Sequence, residues 1–314
     1  MNGTSIRNSS TIAIIDMGTN TFNLLVADVS PDKKFKILFE NKLPVKLGEG
    51  GLSNNEIKPE AWKRGINAIE KHVSDAKRFN PQQIYAFATS ATRDARNGKE
   101  FVADIKKHCG ITVEIITGQH EAELIYLGVK QAINLGDTYN LILDIGGGSN
   151  EFIIANNDKI VWLQSFNLGV SRLMQKFTTS DPIQVEEIQT LEEYFTVQLA
   201  PLFDAVQKFK PTTLIGCSGT FDSFRNILEH RNIVKLTQDP WSEIPLDVFR
   251  ELHSELIRTT LEERLQIKGL VSIRAEFIVV ATVFVNFILK KLSITQMLQS
   301  SYSLKEGAFA KLAN

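Results

Sequence analysis

The chain has 314 residues, enough for two domains of ordinary size. Hydrophobic residues make up 43% and charged residues 23%, which excludes a disordered, collagen-like or coiled-coil chain. Lys and Arg number 35 against 36 Asp and Glu, a formal net charge of -1, which argues against a nucleic-acid or anionic-membrane coat but leaves room for a local basic pocket.

Met1–Ser10 is polar, without the apolar run of a secretory signal, and is expected to be a loose tail on a cytoplasmic chain. Thr11–Ile15 is a short β-branched strand ending at Asp16-Met-Gly-Thr-Asn-Thr21, and Phe22–Val29 and Phe35–Val45 follow as strands of an antiparallel meander turning at Ser30-Pro-Asp32. Pro59 opens a helix to Phe79 with Trp62, Ile66, Ile69 and Val73 on one face. Ile84–Ala88 and Val113–Ile116 read as strands, and Gly98–His108 and Gly118–Leu135 as helices. The plan then repeats: Leu141–Asp144 is a strand ending in Asp144-Ile-Gly-Gly-Gly-Ser149, with Glu151–Ala155 and Ile160–Phe166 as the next two strands. Helices are predicted over Val185–Phe209, Leu246–Thr259 and Ile273–Leu292, with a short one closing the chain. The apolar run Phe277–Leu289 is too short for the roughly 20 residues of a spanning helix. It is expected to be buried in its own domain, with a homodimer interface as the alternative.

The two repeated turns carry the first chemical signal. Glycine turns let successive N–H groups point at an anion, so Gly18, Thr19, Asn20 and Thr21 form one expected phosphate cradle and Gly146, Gly147, Gly148 and Ser149 another. An aspartate beside each, Asp16 and Asp144, suits Mg2+, which takes one or two carboxylates plus phosphate oxygens and water. A third turn, Gly216-Cys-Ser-Gly-Thr220, follows the apolar run Thr213–Ile215 and precedes a helix near Phe221; Gly216, Ser218, Gly219 and Thr220 are candidates for an anion or nucleotide site at that helix N-terminus. Cys109 and Cys217 show no metal-ligand or disulfide spacing, and the five histidines form no HExxH or HxH pattern. Basic residues outside these motifs, Lys42, Lys46, Arg96 and Arg172, are scattered along the chain and form no cluster.

Taken in order, the three glycine turns resemble those of the actin-like ATPase superfamily. Ala88-Thr-Ser-Ala-Thr-Arg-Asp-Ala-Arg-Asn97, Ile116-Thr-Gly-Gln-His-Glu-Ala-Glu123, the Gly269–Glu276 segment and Leu304-Lys-Glu-Gly307 narrow the resemblance to the exopolyphosphatase / guanosine pentaphosphate phosphohydrolase (Ppx/GppA) family, over nearly the whole chain. The resemblance implies an α/β protein of two actin-like (ribonuclease H-like) domains flanking a cleft, in the two-domain form without an HD-type C-terminal domain. The expected boundaries are 11–128 and 129–300, with 301–314 returning as a helix to the first domain. By position, Glu121 matches the family's general base, Arg93 its phosphate-facing arginine, and Asp144 and Glu151 its metal-associated carboxylates, with Asp16 the corresponding acid of the first turn. Arg274 is expected either to reach the substrate or to pair with Glu276.

The implied activity is Mg2+-dependent release of terminal orthophosphate from inorganic polyphosphate, and short chains are expected because the scattered basic residues form no extended track. The alternatives are hydrolysis of guanosine pentaphosphate at its 5′-phosphate, or binding of polyphosphate or guanosine tetra- and pentaphosphate without cleavage. Neither a nucleic-acid nor a membrane partner is expected. The chain departs from the family pattern in four places: Asn23 replaces a frequent cation, Asn150 replaces threonine, Phe221 threatens to crowd a nucleotide base, and the pair Ser301-Tyr302 precedes the last motif where relatives often show Asp-Gly.

Overall fold

The computed structural model describes residues 10–30, 35–235 and 237–312. Most of the expected tail, Pro31 and Asp32 of the first turn, and the last two residues therefore lie outside the described residues. Ser10 is already in the first strand.

The first half runs β1 (Ser10–Met17), β2 (Thr21–Val29), β3 (Phe35–Pro44), α1 (Pro59–Lys77), β4 (Gln83–Ala88), α2 (Ser90–Arg93), α3 (Gly98–Cys109), β5 (Val113–Ile115) and α4 (Gly118–Ala132). The second runs β6 (Asn140–Ile145), β7 (Asn150–Ala155), β8 (Ile160–Phe166), α5 (Val170–Lys176), α6 (Val185–Gln198), α7 (Ala200–Phe209), β9 (Thr213–Cys217) and α8 (Ser218–His230). It continues through β10 (Trp241–Glu243), α9 (Leu246–Leu256), α10 (Leu261–Leu265), α11 (Ser272–Ala275), α12 (Ile278–Lys291), β11 (Gln296–Ser300) and α13 (Leu304–Leu312).

The first sheet has the order β3-β2-β1-β4-β5 and the second β10-β11-β9-β6-β7-β8. Read from the meander inward, the second repeats the first and adds β10 at its far edge. In each, an antiparallel meander is extended by parallel strands: β1 pairs with β4 as β6 pairs with β9.

Helices cover the outer face of each sheet. Ile66, Ile69 and Val73 of α1 and Phe101 of α3 close the first core, and Phe195, Phe284 and Phe287 belong to the second. Residues 278–289 of α12 are all buried, so the apolar run packs inside its own domain instead of at an interface. Between the sheets lies a shared layer. Leu124, Ile125 and Val129 of α4 and Phe309 of α13 pack with Ile14 and Leu25 of one sheet and Ile142, Ile153 and Ile215 of the other.

The short elements α2, α5, α10 and β10 carried no sequence signal, and three further differences have a physical reason. The helix expected over 185–209 is broken at Leu199 because Pro201, in the first turn of α7, brings no N–H to a continuing helix. The helix expected from Ile273 begins only at Ile278, after the single turn of α11; the Ala275 carbonyl accepts a hydrogen bond from Arg264 Nε at 2.8 Å. Strand β11 went unpredicted because its buried Gln299 and Ser300 break the apolar pattern of a central strand.

The α4–α13 contact has no room for side chains at its crossing. A Cβ on Gly307 would lie 1.7 Å from the Leu124 carbonyl oxygen, and one on Gly128 would lie 1.9 Å from that of Ser303. Gly307→Ala should therefore lose about 3 kcal/mol through forced separation of the helices, outweighing the roughly 1 kcal/mol of helix propensity that alanine adds. Chemical denaturation of the variant checks the sign.

Candidate active site

Two hairpin turns with the same hydrogen bond lie at its centre. Gly18 N–H donates to the Thr21 carbonyl at 3.1 Å, and Gly146 N–H donates to that of Ser149 at 3.0 Å. The turns abut: a Cβ on Gly147 would lie 2.9 Å from Asn20 Nδ2, and one on Gly148 would lie 2.9 Å from Thr19 Oγ1. Neighbouring backbone occupies the carbonyls of both turns. Val45 and Lys46 N–H each donate to Asn20 O at 2.9 Å, and Gly48 N–H donates to Thr19 O at 3.3 Å. Opposite, Val170 and Ser171 at the start of α5 donate to Gly146 O and Gly147 O at 3.0 and 2.9 Å. With their acceptors taken, the turns offer the cleft N–H groups, the arrangement that binds anions. Asn20 Nδ2 is a buried donor with no acceptor among the described residues, as a site awaiting an anionic oxygen requires.

The cleft between the turns has a volume of about 130 Å3. Asp16, Gly18 to Thr21, Glu121, Asp144, Gly146 to Ser149, Ser218 and Gly219 line it. Gly216, Thr220, Glu151 and Arg93 do not. Gly216 instead makes room for Phe221, whose ring would meet a Cβ there at 2.1 Å. Phe221 is fully buried against Phe224, so it turns into the core and crowds no ligand. Thr220 is likewise buried. Ser218, in a left-handed conformation at φ 65°, donates through Oγ to Asp144 Oδ2 at 2.6 Å, and Ser303 Oγ donates to the same oxygen at 2.7 Å.

Glu121 lies in the first turn of α4, whose start is capped by Thr117 Oγ1 accepting from His120 N–H at 3.1 Å. Arg93, at the end of α2, donates through Nη1 to Glu121 Oε2 at 2.7 Å, while its Nη2 lies 3.4 Å from Ser149 Oγ. It thus stands behind the wall, between Glu121 and the second glycine turn. Burial opposes the Arg93 charge, but Glu121, Glu151 and Asp94 together outweigh it and raise the guanidinium pKa.

Glu121, Glu151 and Asp16 are held away from their ordinary titration. Burial, then the neighbouring Glu151 charge, pushes Glu121 well up. Glu151, accepting from Ser165 Oγ at 2.6 Å, is raised to about 7 by burial and then by Asp144. Asp16 is raised to about 6, chiefly by burial, although Lys305 and the Asn23 amide, which donates to it at 2.9 Å, pull the other way. The repeat explains the asymmetry: Asn23 faces Asp16 across the first hairpin, where Glu151 faces Asp144 across the second.

Cations complete the wall. Lys42, Arg274 and Lys305, distant in sequence, all line the cleft. Arg274 lies over Gly219, where a Cβ would meet Nη2 at 2.0 Å, and Glu276 pairs with Lys46 at 2.9 Å, not with Arg274. Arg172 is not a free cation; it donates to the Gly148 carbonyl at 2.9 Å and to Asp94 at 2.7 Å, tying the second turn to α2. Lys305 lies in a motif already noted without a role, and Asp222, which also lines the cleft, carried no sequence signal. Asn150 is buried and donates to the Leu168 carbonyl at 2.9 Å, a structural use of the departure from threonine.

Among the described residues, no three Asp, Glu, His or Cys side chains form a group able to hold a metal. The trio of Asp16, Asp144 and Glu151 is therefore not preassembled, and Glu151 lies behind the wall. Asp16 and Asp144 remain as two carboxylates in one cleft, the number Mg2+ takes when phosphate oxygens and water complete its shell. The pair fits the ion. No helix of the described residues is long and apolar enough to cross a membrane.

Residues 25–314 match the model of the Ppx/GppA phosphatase family. An exopolyphosphatase from Cytophaga hutchinsonii has a similar structure, with 39% sequence identity, a TM-score of 0.93, and coverage of 97% of this chain and 98% of that one. A Ppx/GppA family member from Aquifex aeolicus shares the fold at 22% identity and a TM-score of 0.79, covering 97% of each chain.

Asp16 binds its proton more tightly in the folded than in the unfolded chain, so its protonation stabilises the fold below pH about 4, and that contribution is lost as pH rises through about 6. Relative to Asp16→Asn, the wild-type protein should lose about 2 kcal/mol of stability between pH 4 and 7, allowing for partial exposure. Paired thermal melts across that range would read the gap; no widening with pH would contradict the assignment.

Proposed function

The chain belongs to the Ppx/GppA phosphatase family and is a phosphoanhydride hydrolase, and from that premise we propose that it releases terminal orthophosphate from short inorganic polyphosphate with Glu121 as general base. The observation that carries this reading is the shared cleft. Two N–H-lined glycine turns, three cations and one buried glutamate of raised pKa border the same small volume.

Hydrolysis of a phosphoanhydride asks little covalent chemistry of the protein: a positioned water, a proton acceptor and neutralised phosphate oxygens. The glycine turns and Asn20 Nδ2 would hold the terminal phosphoryl oxygens, and Lys42, Arg274 and Lys305 the charge of the adjoining phosphates. Glu121 would take the proton of the attacking water at Oε1, since Oε2 is held by Arg93. That ion pair opposes the upward push of burial on Glu121, and it aims the carboxylate by fixing one oxygen. Asp16 and Asp144 are the carboxylates that would hold Mg2+, which when bound would neutralise phosphate oxygens further.

The inner cleft volume of about 130 Å3 favours a chain end over a nucleoside, being well below the roughly 300 Å3 of ordinary small-molecule pockets. The guanosine pentaphosphate reading keeps one supporting observation: Phe221 is in the core and obstructs no base. Phosphate release measured with Mg2+ on tripolyphosphate, longer polyphosphates, guanosine pentaphosphate and ATP separates the two. Binding without release from any of them would instead make the protein a non-catalytic binder.

Glu121→Gln should lower kcat by about 10^2 to 10^4 while leaving the melting transition in place. Near-normal turnover would remove Glu121 as the base. Because the Glu151 charge raises the Glu121 pKa, Glu151→Gln should shift the acid limb of the kcat/KM profile to lower pH. A shift to higher pH would contradict the coupling.

A further inference from the structure

A second groove, of about 490 Å3, lies beside the cleft and is built by continuations of the same two segments. Lys42 of β3 lines the cleft, while Pro44, Val45 and Lys46 line the groove; Arg274 of α11 lines the cleft, while Glu276 lines the groove. The groove thus adjoins the cleft at Lys42 and Arg274.

Lys46 is held there by its backbone. It adopts a left-handed conformation, φ 47°, unusual for a side chain of its size. Its N–H donates to the carbonyl of Asn20 in the first phosphate turn at 2.9 Å, and its own carbonyl accepts from Arg64 Nη2 at 3.0 Å. Its ammonium pairs across the two halves with Glu276 at 2.9 Å, both side chains being partly exposed, 34% and 42%.

We infer that Lys46 is a subsite for phosphates beyond those in the cleft, and that Glu276 is the carboxylate it exchanges for them. This rests on the polyphosphate reading above. On binding a longer chain, Lys46 turns from Glu276 to a phosphate oxygen. No proton moves and no bond breaks. Glu276 thereby sets chain-length preference: it competes for Lys46 and repels phosphates entering the groove. An exposed pair is weak enough to exchange in this way.

The test compares tripolyphosphate with a longer linear polyphosphate of defined length. In Lys46→Gln, the ratio of KM for the long chain to KM for tripolyphosphate should rise about fivefold, and in Glu276→Gln it should fall by a similar factor. The competing role, a latch between the two halves, makes both variants move KM in the same direction for both lengths; that result, or an unchanged ratio, would overturn the subsite. Calorimetric titration of the same two polyphosphates into the Glu121→Gln protein, with and without each substitution, reads the affinity ratio without turnover. If the wild-type protein cleaves no polyphosphate, the catalytic reading fails, while the calorimetric ratios still support or overturn the subsite.

Discussion

The closeness of two hairpin turns governs the rest of the cleft. Gly147 and Gly148 come so near Thr19 and Asn20 that Cβ atoms on those glycines would lie 2.9 Å from their neighbours, inside van der Waals contact. Backbone can approach this tightly only where side chains are absent. Outer elements hold the turns in place, since the Val45–Gly48 segment and the start of α5 take up their carbonyls. The result is a concave surface of amide donors shared by two domains.

Around that surface the fold keeps charges in expensive positions. Glu121 and Glu151 are almost fully buried and near one another, and Asp144 adds a third acid. Each is only partly compensated, by Arg93, by serine hydroxyls or by neighbouring cations. Such arrangements destabilise the fold and are retained where chemistry uses them. The stabilising contribution comes from elsewhere: from the aromatic core under the second sheet and from the shared α4–α13 layer, in which Gly128 and Gly307 let two helices touch.

Much of the architecture was legible because its signals are local. Each meander shows as β-branched runs separated by glycine turns, and α1 shows as Trp62, Ile66, Ile69 and Val73 on one stripe. The failures share a cause. β11 was hidden because Gln299 and Ser300 are polar yet buried, which happens where a strand faces a polar cleft instead of a core. Phe221 was misread because Gly216, five residues earlier, opens the space its ring fills, and that depends on the strand-to-helix turn. The α11 turn carrying Arg274 could not be separated from α12 because the Arg264 side chain that takes the Ala275 carbonyl comes from another helix.

Sequence alone determined the duplicated turns with Asp16 and Asp144, because hairpin geometry fixes their spacing, and the family resemblance, which is what singled out Glu121 and Arg93. Tertiary structure alone decided that Lys42, Arg274 and Lys305 meet at one wall, that Arg93 stands behind Glu121, and that Glu151 is set back from Asp144's cleft. Charges far apart in the chain become neighbours only when two sheets close on a common helical layer, and no local pattern records that closure.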